Sequence, residues 1–368
     1  MRLRDLKLTN YRNCKDLELN LESKKILIIG KNAQGKTNIL ESIYFLSTLK
    51  TPRTSNNIEL INFDAEKAEI NCNMLKAETD VELDYTYSRE KKRELAINKV
   101  KTTPKNFKSV LKTVLFSTAD LLLLRGNPSD RRDWLDRAIS QVYPAYDDRL
   151  SKYDKIRIQK NNLLKDYLKT GNLNETLLDV YNEQLVITGS NIIYLRIKFL
   201  KEIEHIASEK HHIISETEKL EIKYDCSFLN METELEAIAS AFHQSLVERK
   251  IEEARRGQAC VGPHRDDIIF YINGNEATKF ASQGQQRTVV LALKLSELDI
   301  ITAKTGDEPV LLLDDVLAEL DDLRQNYLLK SISENTQTII TSVDTVLFEE
   351  EFLKDVKIYK IENGCISS

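Results

Sequence analysis

The chain has 368 residues, of which 41% are hydrophobic and 30% charged, and its formal net charge is −5 at pH 7. This composition is typical of a soluble globular protein with room for two domains, and the lack of a signal-peptide pattern or a membrane-length apolar run predicts a cytoplasmic location without a membrane partner. The net charge argues against a protein that coats nucleic acid by overall charge alone, so any DNA contact is expected to come from local basic patches.

The five cysteines are scattered through the chain and form no C-x-x-C pair. This spacing argues against a zinc site or a disulfide framework and is typical of a protein in a reducing compartment.

The first hundred residues are rich in predicted strands, and a glycine loop interrupts them at residues 30–37. The loop, GKNAQGKT, has the pattern G-x-x-x-x-G-K-[ST]. The apolar run before it predicts a buried strand, and apolar residues at helical spacing after it predict a helix. In that setting backbone N–H groups surround phosphates, so we predict a nucleotide site rather than an ordinary glycine turn. Its predicted binding residues are Gly30, Lys31, Asn32, Ala33, Gln34, Gly35, Lys36, Thr37 and Asn38.

Two side chains of this loop have predicted chemical roles. Lys36 is predicted to reach the β- and γ-phosphates of the nucleotide, and the Thr37 hydroxyl is predicted to be a ligand for Mg²⁺. The partner carboxylate is predicted in VLLLDD, residues 310–315, where a buried strand ends at Asp314 and Asp315. Asp314 is the expected metal ligand, and Asp315 stands where a base could orient the attacking water. The predicted catalytic residues are Lys36 and Asp315.

The middle of the chain, from about residue 120 to 256, carries apolar stripes at helical spacing, which predict packed helices. The β pattern then returns, with a hairpin at Asn273-Gly274, a helix over 284–304, a helix from about 319 and a strand at 337–342. About 280 residues separate Lys36 from Asp314. We therefore predict an α/β fold in which 1–118 and 257–368 form an ATPase head of mixed β-sheet and helices, with 119–256 inserted as a helical arm domain.

A second anion-binding device is predicted just before the helix at 284–304. Here a serine hydroxyl and backbone N–H groups lie at a helix N-terminus. One phosphate chain rarely needs two such devices from distant parts of one chain, whereas two copies facing each other would use both. The pattern therefore predicts a homodimer in which each copy contacts the nucleotide of the other through Ser282, Gln283, Gly284 and Gln285.

Taken together, these stretches resemble the ATP-binding-cassette (ABC) ATPases of chromosome biology, and more specifically the RecF family of DNA replication and repair proteins. The resemblance covers essentially the full length, and the supporting stretches are LKLTNYRNCKDLEL, GKNAQGKTNILESIYFLS, LLLLRGNPSDRRDWLD, GPHRDD, SQGQQRT and VLLLDDVLAELD. It implies an ABC-type ATPase head, an ATP-dependent homodimer, slow ATP hydrolysis stimulated by DNA, and binding to duplex DNA with a preference for gaps or strand junctions. It also implies work with RecR and RecO in loading recombinase.

Some positions depart from the family pattern. Ala318 replaces the serine of the family's Ser-Glu-Leu-Asp loop, and Thr118 and Ala119 replace the Pro-Glu of its Phe-Ser-Pro-Glu-Asp stretch. No histidine follows the strand QTIIT, so Thr341 or Ser342 is the candidate substitute for a transporter-type switch histidine. Arg12, in NYRN, is the predicted contact on the adenine or phosphate side.

Two basic clusters are candidates for DNA contact. Arg131 and Arg132 open a predicted helix but could instead pair with the nearby aspartates, and the lysine-rich stretch 91–112 could be a solvated hairpin. In GPHRDD, His264 and Arg265 follow a Gly-Pro turn, where a lone histidine indicates a structural role and no metal site.

A phosphate-binding loop is also typical of two other classes of protein. A transport-type ATPase subunit of an ABC-transporter-like assembly predicts a Ser-Gly-Gly-Gln signature and a switch histidine, and both are missing from the sequence. A small-molecule kinase explains neither the second anion device nor the long separation between Lys36 and Asp314.

Overall fold

The computed structural model describes residues 1–54, 56–90, 92–230 and 233–367. The chain forms two compact units, Met1–Leu122 with Arg287–Ser368 and Leu123–Gln286. The described strands, in chain order, are β1 (Arg2–Tyr11), β2 (Cys14–Asn20), β3 (Lys25–Ile29), β4 (Lys67–Lys76), β5 (Thr79–Ser88), β6 (Arg93–Ile97), β7 (Val100–Lys101), β8 (Thr113–Ser117), β9 (Leu220–Asp225), β10 (Asp267–Ile272), β11 (Asn275–Glu276), β12 (Val310–Asp314), β13 (Thr338–Ser342), β14 (Val356–Glu362) and β15 (Cys365–Ser367).

The α-helices lie mostly between Pro128 and Arg256, as the apolar stripes predict. In chain order they are α1 (Lys36–Thr48), α2 (Pro104–Lys108), α3 (Pro128–Val142), α4 (Tyr146–Thr170), α5 (Glu175–Ser215), α6 (Leu235–Glu248), α7 (Lys250–Arg256), α8 (Ala277–Phe280), α9 (Gln283–Thr305), α10 (Asp322–Ser331) and α11 (Glu350–Leu353).

The first unit contains a parallel sheet that presents the carboxyl ends of its strands along one edge. Its strand order is β15-β14-β3-β13-β12-β8, and all neighbours are parallel except the pair β14 and β15. The register aligns Ile29 with Ser342, and Asp314 with both Thr341 and Ser117. Since ligands of open α/β sheets bind beyond the carboxyl ends of the strands, this edge is where a site is expected.

A second, antiparallel sheet of the same unit has the order β2-β1-β4-β5-β6-β7. Its strands alternate buried and more exposed side chains; in β4, for example, Ala68, Ile70, Cys72 and Met74 are all buried. Together with apolar residues of the parallel sheet, these side chains form one core around α1, which contributes Ile39, Leu40, Ile43, Phe45 and Leu46. The first turn of α1 is therefore held rigidly beside the sheet edge.

The second unit combines the helices α3 to α7 with a small antiparallel sheet of order β11-β10-β9. Strand β9 corrects the expectation of an all-helical segment over 120–256, and it pairs with β10 over its whole length, with Asp225 opposite Asp267. Because of this pairing, 257–286 lies in the second unit, whereas the sequence pattern assigned it to the head. Local periodicity could not reveal a partner strand so far along the chain.

Other local predictions are confirmed. The hairpin turns at Asn273 and Gly274, both with positive φ, as a two-residue turn between β10 and β11 requires. The helix expected from about 319 begins at Asp322 and is capped by the Asp321 carboxylate. None of the helices that the structure describes combines the length and the apolar character needed to cross a bilayer. The α/β class, with a unit of sheets and helices built from residues 1–122 and 287–368 and a largely helical unit inserted between them in sequence, agrees with the prediction.

Candidate nucleotide-binding site

The two glycines of the loop at 30–37 lie where neighbouring atoms leave no room for a Cβ. A Cβ on Gly30 would lie 2.4 Å from the carbonyl oxygen of Ile361, and a Cβ on Gly35 would lie 2.9 Å from the Asn13 side chain. Gly35 also has φ +108°, a conformation that other residues rarely adopt. The loop thus follows β3 directly and turns tightly into α1, which is the geometry that directs backbone N–H groups at an anion.

Lys36 lies inside this loop rather than in solvent. Its side chain is only 3% exposed, and Nζ donates hydrogen bonds to the carbonyl oxygens of Gly30 (2.7 Å) and Lys31 (3.3 Å). The same ammonium group lies 3.9 Å from Oδ2 of Asp315. The positive charge is therefore positioned at the centre of the loop by the loop's own backbone.

Thr37, Thr341 and Asp314 meet at the sheet edge. The hydroxyls of Thr37 and Thr341 both donate to Oδ1 of Asp314 at 3.0 Å, and the backbone N–H of Asp315 donates to Thr341 Oγ1 at 2.9 Å. Burial raises the pKa of the Asp314 carboxyl, the two threonine hydrogen bonds oppose that shift, and the charge of Asp315 adds to it. A hydroxyl and a carboxylate are oxygen ligands of the kind that Mg²⁺ prefers, so these residues fit the predicted metal.

Asp315 carries two signs of a functional position. Its φ is +51°, a left-handed conformation that is uncommon outside glycine although less so for asparagine and aspartate, and its Oδ1 is buried without a hydrogen-bond partner among the described residues. A buried acceptor without a partner is costly, and strain of this kind clusters at active sites. A water molecule beside the γ-phosphate would donate a hydrogen bond to this oxygen. The site therefore fits a bound nucleotide.

Several residues that hold the loop were not foreseen from the sequence. The backbone N–H groups of Asn363 and Gly364 donate to the side chain and carbonyl of Gln34 (2.5 and 2.9 Å), so the turn between β14 and β15 braces the loop. Asn38 donates to Asn13 Oδ1 at 2.7 Å and accepts from Arg53 at 2.9 Å. Lys31, Asn32 and Ala33 are exposed at the outer turn. No short-range pattern marks Asn13, Arg53 or Asn363.

Arg12 forms a two-pronged ion pair with Glu41 of α1. Its Nη2 lies 2.7 Å from Oε1 and its Nε 2.6 Å from Oε2 of Glu41, which is itself buried. This contact ties the turn after β1 to the helix that begins at Lys36. The proposed contact between Arg12 and the nucleotide stays a prediction.

The segment 282–285 lies in the second unit and caps α9. The backbone N–H of Gln285 donates to Ser282 Oγ (3.2 Å), while Gln285 Oε1 accepts from the Ser282 N–H (2.7 Å), a reciprocal capping arrangement. Gln285 also donates to Glu218 at 2.7 Å. Ser282 and Gln283 are exposed, and α9 is 23 residues long. The helix N-terminus is therefore accessible, and its role toward the nucleotide of another copy stays a prediction.

The residues that depart from the family pattern follow two strands of the parallel sheet: Thr118 and Ala119 follow β8, and Ala318 follows β12. Ser117 donates to Asp120 through both its N–H and its hydroxyl at 2.8 Å, and Asp120 pairs with Lys294 at 3.0 Å. Ala318 lies in a short 3₁₀ turn, Leu317–Glu319, just before Asp321. Of the two candidate substitutes for a switch histidine, Thr341 is the one whose hydroxyl donates to the Asp314 carboxylate and accepts from the backbone N–H of Asp315.

The two basic clusters differ in how exposed their side chains are and in what they contact. Arg131 is buried and forms a bidentate pair with Asp267 at 2.8 Å, which favours a structural role. In the lysine-rich stretch, Lys92 pairs with Glu90 at 2.5 Å and Lys101 with Glu94 at 3.8 Å, both on the surface, where such pairs add little stability. Lys91 lies outside the described residues. DNA contact by this stretch stays a prediction.

His264 of the GPHRDD segment lies in the second unit, where Tyr153 and Ala259 hold its ring. Nδ1 lies 2.7 Å from the Tyr153 hydroxyl, and Nε2 lies 3.3 Å from the Ala259 carbonyl. Burial lowers the pKa of His264 to about 3, and the nearby guanidinium groups of Arg157 and Arg265 lower it further. The imidazole is therefore neutral and structural, as the sequence predicts.

This neutrality predicts a pH dependence of stability. The folded pKa lies below the unfolded value of 6.5, so the contribution of His264 is fully present above pH 6.5 and is lost as pH falls from there toward 3. Between pH 8 and pH 5 the parent should lose about 2 kcal/mol more stability than His264→Gln, because groups that titrate in both chains cancel in this difference. Urea unfolding followed by the fluorescence of Trp134, the single tryptophan and buried in the same unit, measures the difference.

A surface variant, His243→Gln on α6, controls for the loss of an imidazole in general. An equal pH dependence in the parent and in His264→Gln would contradict the assignment of a neutral, buried His264.

Comparison with known proteins agrees with this geometry. The family model described as RecF/RecN/SMC N terminal domain matches residues 2–367. Proteins named DNA replication and repair protein RecF from Bacillus velezensis and Bacillus subtilis are each 38% identical over the full length of both chains. A solved structure of the recombination mediator protein RecF with ATP superposes with a TM-score of 0.91 at 34% identity, covering 100% of this chain and 97% of the other.

A more distant structure, an Smc head domain from Pyrococcus furiosus, has a TM-score of 0.55 at 15% identity and supports the fold alone. The family model and the Bacillus proteins match the chain over essentially its full length, so all of the motifs described above lie within the matched region. The chain belongs to the RecF family of DNA replication and repair proteins, within the wider group defined by RecF, RecN and SMC N-terminal domains.

Proposed function

We propose that the chain is an ATP-dependent DNA-binding protein of replication and repair. The observation that carries the proposal is the convergence of Lys36, Thr37, Asp314, Asp315 and Thr341 at one edge of the parallel sheet. A solved relative contains ATP. The loop at 30–37 has the glycines, the buried Lys36 ammonium and the Thr37 hydroxyl that binding of a nucleoside triphosphate requires.

In this proposal the residues of the first unit divide the work of ATP hydrolysis. Backbone N–H groups of 31–37 and the Lys36 ammonium bind the β- and γ-phosphates, and Thr37 with Asp314 would hold Mg²⁺. When bound, the ion would neutralise phosphate charge. Asp315 orients a water molecule and accepts its proton, a task that suits a carboxylate oxygen with no other partner.

In this proposal ATP hydrolysis switches the protein between a dimer and separate copies. The capped N-terminus of α9, with Ser282 exposed, is a second anion-binding element. If it contacts the γ-phosphate held by another copy, ATP joins two copies and hydrolysis releases them. The activity is then that of a weak, DNA-stimulated ATPase that controls a clamp.

The DNA substrate and the partners are inferred from the family. The solved relative is described as a mediator of the RecFOR pathway. We infer that this chain binds duplex DNA, with preference for gaps or junctions between single and double strands. We further infer that it acts with RecR and RecO to load recombinase.

Binding of the full-length chain to gapped, fully duplex and single-stranded DNA, each with and without ATP, tests the function. We expect the tightest binding to gapped DNA in the presence of ATP, and an ATPase rate that rises when DNA is added. ATPase activity that rises with a small phosphate acceptor and is indifferent to DNA would contradict the proposal.

A further inference from the structure

A cavity of about 440 Å³ lies within the second unit, among α3, α4, α5 and the loop 258–265. Its lining is dominated by charged side chains, including the four arginines Arg132, Arg157, Arg196 and Arg265. Among its lining residues, Arg132 is a candidate for DNA contact and His264 is a structural group, but no ligand has been assigned to the cavity. Its size lies in the range of small-molecule pockets.

The floor of the cavity is rigidly built. Arg196, only 2% exposed, donates to the Pro263 carbonyl at 2.6 Å and to both carboxylate oxygens of Asp136 at 2.9 and 2.8 Å. Gly262 has φ +125°, and a Cβ there would lie 2.3 Å from the Tyr153 hydroxyl. That hydroxyl in turn contacts His264. The backbone at 262–264 is thus fixed by a glycine, a buried arginine and a tyrosine.

Two arginines at the cavity have donors to spare. Arg132 donates to the carbonyl of Asp266 at 2.6 Å, and Arg265 donates to the carbonyl of Ala259 at 3.2 Å. Within the described ranges neither guanidinium has a carboxylate partner. A guanidinium group has five N–H donors in a fork that matches phosphate oxygens, so most of the donors of this pair, including those of the exposed Arg265, bond to no described protein group.

The third arginine is shared with an acid. Arg157 is paired with Asp154 through Nη2 at 3.0 Å. The aspartates that line the cavity are Asp133, Asp136 and Asp154, and Asp136 is occupied by Arg196. Arginine therefore exceeds aspartate by one in the lining, and the excess is concentrated on Arg132 and Arg265 beside a neutral imidazole.

Like charges gathered in a partly enclosed space are unfavourable unless an anion joins them. The ring of His264 is neutral and hydrogen-bonded on both nitrogens, so it does not offset the positive charge of the arginines. An anion with several acceptor oxygens would use the free donors of both unpaired arginines at once.

We propose that this cavity binds a phosphate ester through Arg132 and Arg265, with Arg157 as a further contact. The shared chemistry is a phosphate group with exposed oxygens. It could be presented either by a free nucleotide or inorganic phosphate, or by the terminal phosphate of a DNA strand. The proposal does not depend on the nucleotide site of the first unit or on its proposed function.

The test uses the full-length chain carrying Lys36→Ala, so that the loop at 30–37 contributes little phosphate binding. In that background, Arg132→Gln with Arg265→Gln removes the two unpaired guanidinium groups. Arg255→Gln with Arg256→Gln, both exposed around α7, is the control with the same change in charge. One arm titrates inorganic phosphate and AMP by calorimetry. The other compares duplexes that differ only in a 5′-phosphate or a 5′-hydroxyl.

We expect at least one arm to show phosphate binding that the Arg132/Arg265 variant weakens roughly tenfold or more and the control pair leaves unchanged. Loss in the calorimetric arm assigns a free phosphate ligand, and loss of discrimination between the two duplexes assigns a strand end. Absence of phosphate binding in both arms would overturn the proposal. Binding equally affected by both pairs of substitutions would overturn it too, since general surface charge would then be responsible.

Discussion

Lys36→Ala is expected to lower the affinity for ATP at least about a hundredfold and to abolish every ATP-dependent property. The Lys36 ammonium is held at the centre of the loop by two carbonyl oxygens, and it is the fixed positive charge that the loop offers to the phosphates. Two charge-assisted hydrogen bonds at about 1.5–3 kcal/mol each account for a loss of this size. Calorimetric titration with ATP and Mg²⁺ measures it.

The control is Lys50→Ala, a lysine on the exposed turn beyond the C-terminus of α1. Far-UV circular dichroism checks that Lys36→Ala folds, since the substitution leaves Asp315 without its nearest counter-charge. ATP affinity in Lys36→Ala equal to that of the parent would show that 30–37 is a structural turn.

The second expected result concerns assembly and uses two substitutions that separate its steps. Asp315→Asn should bind ATP and form a dimer that persists, with hydrolysis reduced about a hundredfold or more, because the amide cannot accept the proton of the attacking water. The positive φ of Asp315 is tolerated by asparagine, so this variant should keep the local backbone.

Ser282→Arg should bind ATP as a monomer. The side chain of Ser282 is exposed at the N-terminus of α9, where arginine would add bulk and place positive charge in the path of another copy. The substitution also removes the cap on Gln285, worth about 1 kcal/mol, so Ser282→Ala is the matched variant that removes the hydroxyl alone. Light-scattering mass, measured with and without ATP, reports assembly of all variants.

The expected masses are doubled and long-lived for Asp315→Asn with ATP, and never doubled for Ser282→Arg. If Ser282→Arg dimerises with ATP as well as the parent does, each chain completes its nucleotide site alone. If Asp315→Asn hydrolyses ATP at the parental rate, Asp315 is not the residue that activates water.

Much of the nucleotide site could be predicted because its determinants are local. Strand, glycine loop and helix follow one another within residues 25–48, and VLLLDD marks a buried strand that ends in acids wherever it lies in the fold. The hairpin at Asn273-Gly274 is equally local, because two residues with positive φ define the turn. The family resemblance added the pairing of distant motifs, which no local pattern contains.

What only the tertiary structure decided is which distant residues meet. Thr341 bonds Asp314 because β13 lies between β3 and β12, an order that periodicity does not encode. The sequence makes Arg131 a candidate for DNA contact, whereas in the structure it is buried and paired with Asp267. Likewise, β9 is a strand because β10 pairs with it. Hydrophobic spacing determines the type of an element and its buried face, whereas strand order and ion pairs depend on contacts between residues tens to hundreds of positions apart. The sequence alone therefore determined the phosphate loop and its acids, and the fold decided their partners.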